Sequence, residues 1–123
     1  MDERLAYAAV AGQLILRLRT GKFSQEALAA RAKLSQSALS RFENGQSLPD
    51  VYELRALAGA FGHKPSELME KFDEAFARTR DAAKKVSPGS PWEAIAAGMV
   101  AGLAIVGVAA MMDETKKNTR KKP

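Results

Sequence analysis

Cysteine is absent from the 123 residues, and histidine occurs once, at His63. The lack of cysteine excludes disulfide frameworks, thiolate zinc sites and thiol nucleophiles. A single histidine is too few for a histidine-rich metal site or for most acid–base pairs. No nucleophile with a neighbouring base and no glycine-rich phosphate loop stands out. We therefore expect a protein that is not an enzyme and that needs no metal, no cofactor and no small-molecule substrate.

Aromatic residues are also scarce, at 7% of the chain, although hydrophobic residues make up 46%. Because alanine and glycine supply much of that apolar content, small and closely packed helices are favoured over a β-sandwich. The formal net charge of +5 suits a polyanionic partner. Nucleic acid and lipid headgroups satisfy it equally well.

Charge is distributed unevenly, and its distribution divides the chain into four parts. A body of mixed charge occupies residues 1–86, and a linker rich in proline, glycine and serine follows at 87–91. An apolar segment covers 92–112, and a basic tail covers 113–123. These composition shifts predict one domain, a linker and a separate C-terminal helix.

The body is predicted to contain five short amphipathic helices, because apolar residues recur at intervals of three and four between breakers. The expected ranges are about 3–19, 25–32, 35–44, 51–61 and 65–85. Ser24 and Ser35 are suited to cap the second and third helices. Gly21 and Gly45 are suited to end the first and third. The fold class is therefore all-α.

The predicted third helix has two different faces. Its apolar residues are Ala38, Leu39 and Phe42, and its polar residues are Gln36, Ser37, Ser40 and Arg41. Residues at these spacings lie together on a helix surface, so one face packs and the other presents amides, hydroxyls and a guanidinium. From the helix pattern alone, the polar face is either an ordinary solvated surface or a surface that reads a ligand.

Three segments of the body resemble the Cro/C1-type helix-turn-helix family of phage repressors and their bacterial relatives. They are SQEALA at 24–29, LSQSALSRFENG at 34–45, and LP at 48–49, in the order and spacing of that family. The resemblance covers roughly residues 10–72. It implies a five-helix domain that binds double-stranded DNA, with the third helix in the major groove and the second across the backbone.

The same resemblance implies roles for individual residues. Gln25 matches the glutamine at the start of the second helix that holds a phosphate and steadies its neighbour, and Gln36 and Ser37 match the positions that reach base edges. A glutamine there can read adenine through N6 and N7. Arg41 matches a position that reaches guanine or a phosphate. The remaining candidate DNA-binding residues are Ser40, Lys33, and the loop residues Asn44 and Gln46, which match a flanking phosphate grip.

Two features depart from the family pattern: the residue in the turn between the second and third helices, and the connection after the first helix, which is one residue shorter than usual. Lys33 occupies the turn where the family usually has glycine, so either a non-glycine residue adopts a strained conformation or the turn is rebuilt. Glu43 matches an acid that pairs with an arginine of the first helix and is therefore architectural. Arg17 and Arg19 are both candidates for that arginine.

The apolar segment carries no charged side chain from residue 94 to residue 112. As a helix, these nineteen residues rise about 28 Å, close to the hydrocarbon thickness of a bilayer of about 30 Å. Trp92 and the basic tail resemble interfacial anchors, and Gly98 and Gly102 permit close helix contact. We expect a transmembrane helix over 92–112. A helix buried against protein or in an intermolecular contact and a disordered tail are the alternatives.

These observations together predict a sequence-specific DNA-binding transcriptional regulator. It is expected to form a homodimer, with a cytoplasmic DNA-binding domain anchored in the cell membrane. Two other functions remain open. The helix-turn-helix could serve a membrane adaptor that binds a protein partner, or the chain could be an antitoxin or phage-type regulator whose apolar tail binds a partner.

Overall fold

The computed structural model describes residues 3–96, and within that range the chain is all-helical, with six helices and no strand. The helices are α1 (Glu3–Arg19), α2 (Gln25–Ala32), α3 (Gln36–Glu43), α4 (Val51–Phe61), α5 (Pro65–Val86) and α6 (Pro91–Ala96). The first five confirm the predicted ranges to within one residue. Most of the predicted membrane span and all of the basic tail lie outside the described residues.

The side chains next to the helices explain where α2, α3 and α4 begin. The amide of Ala27 donates to Ser24 Oγ and that of Ala38 to Ser35 Oγ, both at 3.0 Å. Each bond satisfies an amide that has no partner within its own helix. Asp50 caps α4 in the same way, with Glu53 bonding back to its amide. The two predicted serine caps are confirmed.

α1 is the central helix of the body and packs against α3, α5 and α6. Its buried residues include Val10, Leu14 and Ile15, which share one core cluster with a large side chain from each of α2, α3, α4 and α5. Those fully buried partners are Leu28, Leu39, Leu57 and Leu68. One continuous core therefore holds α3 in place from behind.

The closest approach of α1 to α3 occurs at Gly12. A Cβ atom at this position would overlap the carbonyl oxygen of Phe42 and would lie 2.9 Å from that of Glu43. Glycine thus allows the C-terminal end of α3 to rest directly on the backbone of α1. Gly45, just beyond α3, has φ +71° and turns the chain away, as predicted.

α6 packs against α1 and α5. Ile95 is 1% exposed, and the ring of Trp92 stacks on Phe76 with 5.5 Å between centroids and 7° between planes. Phe76 also contacts the ring of Tyr7 at 4.9 Å. Trp92 thus belongs to the folded body, a different place from the membrane interface expected from the sequence. Within residues 3–96, no helix has both the length and the hydropathy of a membrane span.

Candidate nucleic-acid interface

α3 separates its side chains into a buried and an exposed face. Leu39 and Phe42 lie in the core, whereas Gln36, Ser37 and Arg41 are exposed. Ser40 is half-buried at the edge between the two faces. The exposed face offers hydrogen-bond donors and acceptors on a helix whose other side is fixed by packing.

The end of α3 is tied to α1 by an ion pair between Glu43 and Arg19. Arg19 Nε donates to Glu43 Oε2 at 2.7 Å and its Nη2 donates to Glu43 Oε1 at 2.9 Å. The side chain of Glu43 is 6% exposed and that of Arg19 is 17% exposed. The hydrogen bond to Glu43 raises the pKa of Arg19 above its ordinary value, against the opposing effect of burial. Arg19 is therefore the arginine that holds Glu43, whereas Arg17 is exposed.

Gln25 extends this ion pair to the start of α3. Its Nε2 donates to Glu43 Oε1 at 3.0 Å, and its Oε1 accepts from Gln36 Nε2 at 3.2 Å. Because a carboxylate such as Glu43 only accepts, the Gln25 amide must point its nitrogen toward Glu43 and its oxygen toward Gln36. The orientation of the Gln36 side chain thus follows from the buried ion pair.

The bond from Gln36 to Gln25 uses only part of the Gln36 amide. A glutamine amide has two N–H donors and one oxygen acceptor, so one donor and the oxygen remain. Those are the groups that a glutamine uses to bond adenine N7 and N6. The arrangement holds Gln36 at the tip of α3 in a form able to make that pair of contacts.

Arg41 and Ser37 form a second bonded pair on the exposed face. Arg41 Nη1 donates to Ser37 Oγ at 2.8 Å, across one turn of α3. Since a guanidinium has five N–H donors, most of them stay available to guanine or to a phosphate. The structure brings Gln36, Ser37 and Arg41 together on one surface.

Asn44 and Gln46 lie at the other end of α3. Asn44 Nδ2 is 3.4 Å from Ser40 Oγ, and the amide of Gln46 donates to the carbonyl of Arg41 at 2.9 Å. Both side chains are exposed. They are placed beside the C-terminal end of α3, where the resemblance predicts a contact with a flanking phosphate.

Lys33 stands apart from the other candidate residues. It follows α2 in a left-handed conformation, with φ 58° and ψ 39°, so the strained alternative for this turn is the one that the chain adopts. Its exposed side chain lines a groove with residues of α4 and does not enter the hydrogen-bonded series from Arg19 to Gln36. The sequence did not indicate that Arg31 and Arg55 line this groove as well.

Comparison with known proteins supports a helix-turn-helix domain. Residues 15–68 match the sequence model of the helix-turn-helix family. The matched stretch contains the whole of α2, α3 and α4 with parts of α1 and α5. No curated protein and no solved structure shows a significant match to the chain. The family match indicates a DNA-binding regulator.

Proposed function

We propose that this protein is a sequence-specific transcriptional regulator that reads the major groove of double-stranded DNA with α3. The observation that carries the proposal is the held position of Gln36. Its amide is bonded through Gln25 to the buried Glu43 and Arg19 pair, and it keeps the groups that recognise adenine. Such ordering before binding lowers the entropic cost of forming the contact.

The other residues of the surface suit complementary roles. Arg41 is proposed to reach guanine or a phosphate, with Ser37 fixing its direction. Gln25, Asn44 and Gln46 are proposed to contact phosphates on either side of α3, which position the helix without reading sequence. A major groove about 12 Å wide is bordered by both strands, so contacts at the two ends of an inserted helix are expected.

The proposal includes a homodimer. One recognition helix contacts only a few base pairs, which is too little sequence to select a site within a genome. Two copies bound to half-sites one helical turn apart double the number of bases read. Sedimentation of the full chain with and without its DNA site tests this part.

Attachment to a membrane is the part of the proposal that rests on sequence alone. Ala94 and Ile95 are buried in the body. The uncharged run that is left for a membrane span is therefore 97–112, which lies outside the described residues. These sixteen residues would rise about 24 Å as a helix, somewhat less than the bilayer core. Recovery of the full chain with membranes after an alkaline wash, but of residues 1–96 in the supernatant, is the expected result.

The DNA-binding proposal is tested by selecting bound sequences from a random pool of duplexes. The wild-type chain should enrich one motif. Gln36→Ala combined with Arg41→Ala should enrich none, because each good bidentate base contact contributes about 1–3 kcal/mol of discrimination. Lys84→Ala removes an exposed cation from α5 and is the matched control, which should enrich the wild-type motif. Equal enrichment by the double variant would refute the assignment of α3.

A further inference from the structure

A groove of about 680 Å³ lies between the C-terminal end of α2 and one face of α4. Small-molecule sites in proteins typically enclose about 300–1,000 Å³, so its volume is sufficient for a ligand of nucleotide size. Gln25 begins α2, whereas the groove adjoins the other end of that helix. An eight-residue helix rises about 12 Å, which separates the groove from the bond between Gln25 and Gln36.

Every charged side chain that lines the groove is a cation: Arg31, Lys33 and Arg55. Lys33 and Arg55 have no ion-pair partner among residues 3–96. Three cations without a neutralising carboxylate repel one another, and an anionic ligand would relieve that repulsion. The charge of the groove therefore favours an anion.

Arg31 is held in position at the groove. Its Nε donates to the carbonyl oxygen of Ala60 at 3.1 Å, and its guanidinium carbon lies 5.2 Å from the centroid of the Phe23 ring. The remaining guanidinium donors are not used by these contacts. An arginine fixed in this way is suited to bond the oxygens of a phosphate.

One backbone feature at the groove, Gly59, has no explanation in packing. Gly59 lies inside α4, where glycine weakens a helix, yet a Cβ atom there would have nothing within 4 Å. A side chain at Gly59 would occupy the groove. Lys33 is the C-cap of α2 and adopts the left-handed conformation that commonly ends a helix, although glycine would adopt it with less strain.

Tyr52 supplies an aromatic surface at the same groove. It is 71% exposed, and its hydroxyl has no hydrogen-bond partner in the part of the chain that the structure describes. An exposed aromatic ring beside a cationic groove can stack on a flat ring of a ligand whose phosphates meet the cations.

From these observations we propose that the groove between α2 and α4 binds a free phosphorylated small molecule with an aromatic ring, of the nucleotide class. Arg31, Lys33 and Arg55 hold the phosphates, and Tyr52 contacts the ring. The site shares Lys33 with the candidate DNA-binding residues but uses none of Gln36, Ser37 and Arg41, which are proposed to reach bases. A bound ligand would lie against α2 and α4, which flank the recognition helix along the chain.

The test follows amide NMR shifts of the full chain during titration with ATP, pyrophosphate and adenosine at constant ionic strength. ATP should bind most tightly and shift Lys33, Arg55 and Gly59, because it alone carries both phosphates and a ring. Lys33→Gly and Arg55→Gln should each weaken ATP binding about tenfold or more. Lys33→Gly also relieves the left-handed strain, so a weaker affinity cannot be attributed to unfolding.

Three further variants make the result specific. Gly59→Leu should block the groove and weaken ATP binding, whereas Lys84→Ala, which removes a cation elsewhere, should leave it unchanged. Tyr52→Ala should reduce the affinity for ATP to that for pyrophosphate. The absence of saturable shifts, or equal ATP affinity in all variants, would overturn the proposal. It would also fail if Lys33→Gly and Arg55→Gln lowered only the salt dependence of DNA binding, because the cations would then contact the DNA backbone.

Discussion

Glu43 accepts two hydrogen bonds from the guanidinium of Arg19, at 2.7 and 2.9 Å, although the residues are 24 positions apart. The pair joins the last residue of α3 to the last residue of α1 and is mostly buried. Through Gln25 it also determines where the Gln36 side chain points. The proposed recognition surface therefore depends on an interaction that does not itself face DNA.

Loss of Arg19 should destabilise the fold strongly. Arg19→Ala leaves the carboxylate of Glu43 buried with only Gln25 as a partner, and removal of one member of a buried pair costs about 3–5 kcal/mol. We expect a value near the lower end, because the Arg19 side chain is 17% exposed. Urea unfolding measures the change. The matched control is Arg17→Ala, an exposed residue expected to change stability by less than about 0.5 kcal/mol.

Two glycines in helices should respond to alanine in opposite directions. Gly12→Ala places a Cβ atom against the Phe42 and Glu43 carbonyls and should destabilise by about 1–3 kcal/mol through overpacking. Gly59→Ala meets open space and should stabilise α4 by up to about 1 kcal/mol. Thermal unfolding of both variants distinguishes close approach from helix propensity. A gain in stability for Gly12→Ala would contradict the contact between α1 and α3.

The body should need α6 for full stability. A chain of residues 1–86 lacks Ile95, which is 1% exposed, and Trp92, which stacks on Phe76. Burying one large aliphatic side chain contributes about 1.5–3 kcal/mol, so residues 1–96 should be more stable than 1–86 by at least that amount. Denaturant unfolding of the two chains provides the comparison. Glu93→Ala in the longer chain is an exposed control, and equal stability of the two lengths would show that α6 does not dock.

Tyr7 should make part of the stability depend on alkaline pH. Burial, followed by the hydrogen bond from its hydroxyl to Asp73 at 2.7 Å, raises the pKa of Tyr7 above its ordinary value. The folded state then holds the proton more tightly than the unfolded chain. This contribution is complete below the ordinary tyrosine pKa of about 10 and is lost as the pH rises above it.

The variant Tyr7→Phe isolates this effect. Its deficit in stability relative to the wild type should be largest below pH 10 and should shrink as the pH rises, because phenylalanine has no proton to lose. Urea unfolding of both proteins at several pH values between 8 and 11 measures the difference. A deficit that stays constant over this range would contradict the predicted coupling.

Much of the fold could be predicted from local sequence. The features that could not be predicted have physical causes. Ser24 and Ser35 marked helix starts because capping depends on neighbouring residues. The choice between Arg17 and Arg19 could not be made, since the two lie on nearly opposite sides of α1 and the packing of that helix decides which side faces Glu43. Trp92 was assigned to a membrane interface because hydropathy does not distinguish burial in lipid from burial in a protein core.

The sequence predicted which residues form the proposed interface, but it did not predict the hydrogen bonds that join them. The polar face of α3 followed from helical spacing, whereas the bonds from Glu43 through Gln25 to Gln36 join three separate stretches of chain. The groove beside Lys33 was missed for the same reason, because Arg31 and Arg55 come from different helices. Long-range juxtaposition of this kind depends on packing, which spacing along one helix does not report.

The proposed contact between Gln36 and adenine is tested most directly by a double-mutant cycle, which alters both partners. The selected DNA site is synthesised with 7-deazaadenine, which lacks the N7 acceptor, at one adenine at a time, and each duplex is titrated with wild type and Gln36→Ala. We predict that at one adenine the two changes are not additive, with a coupling of about 0.5–1.5 kcal/mol, because the analogue removes one hydrogen bond of the bidentate pair. Additive losses at every adenine would contradict the claim that Gln36 reads DNA.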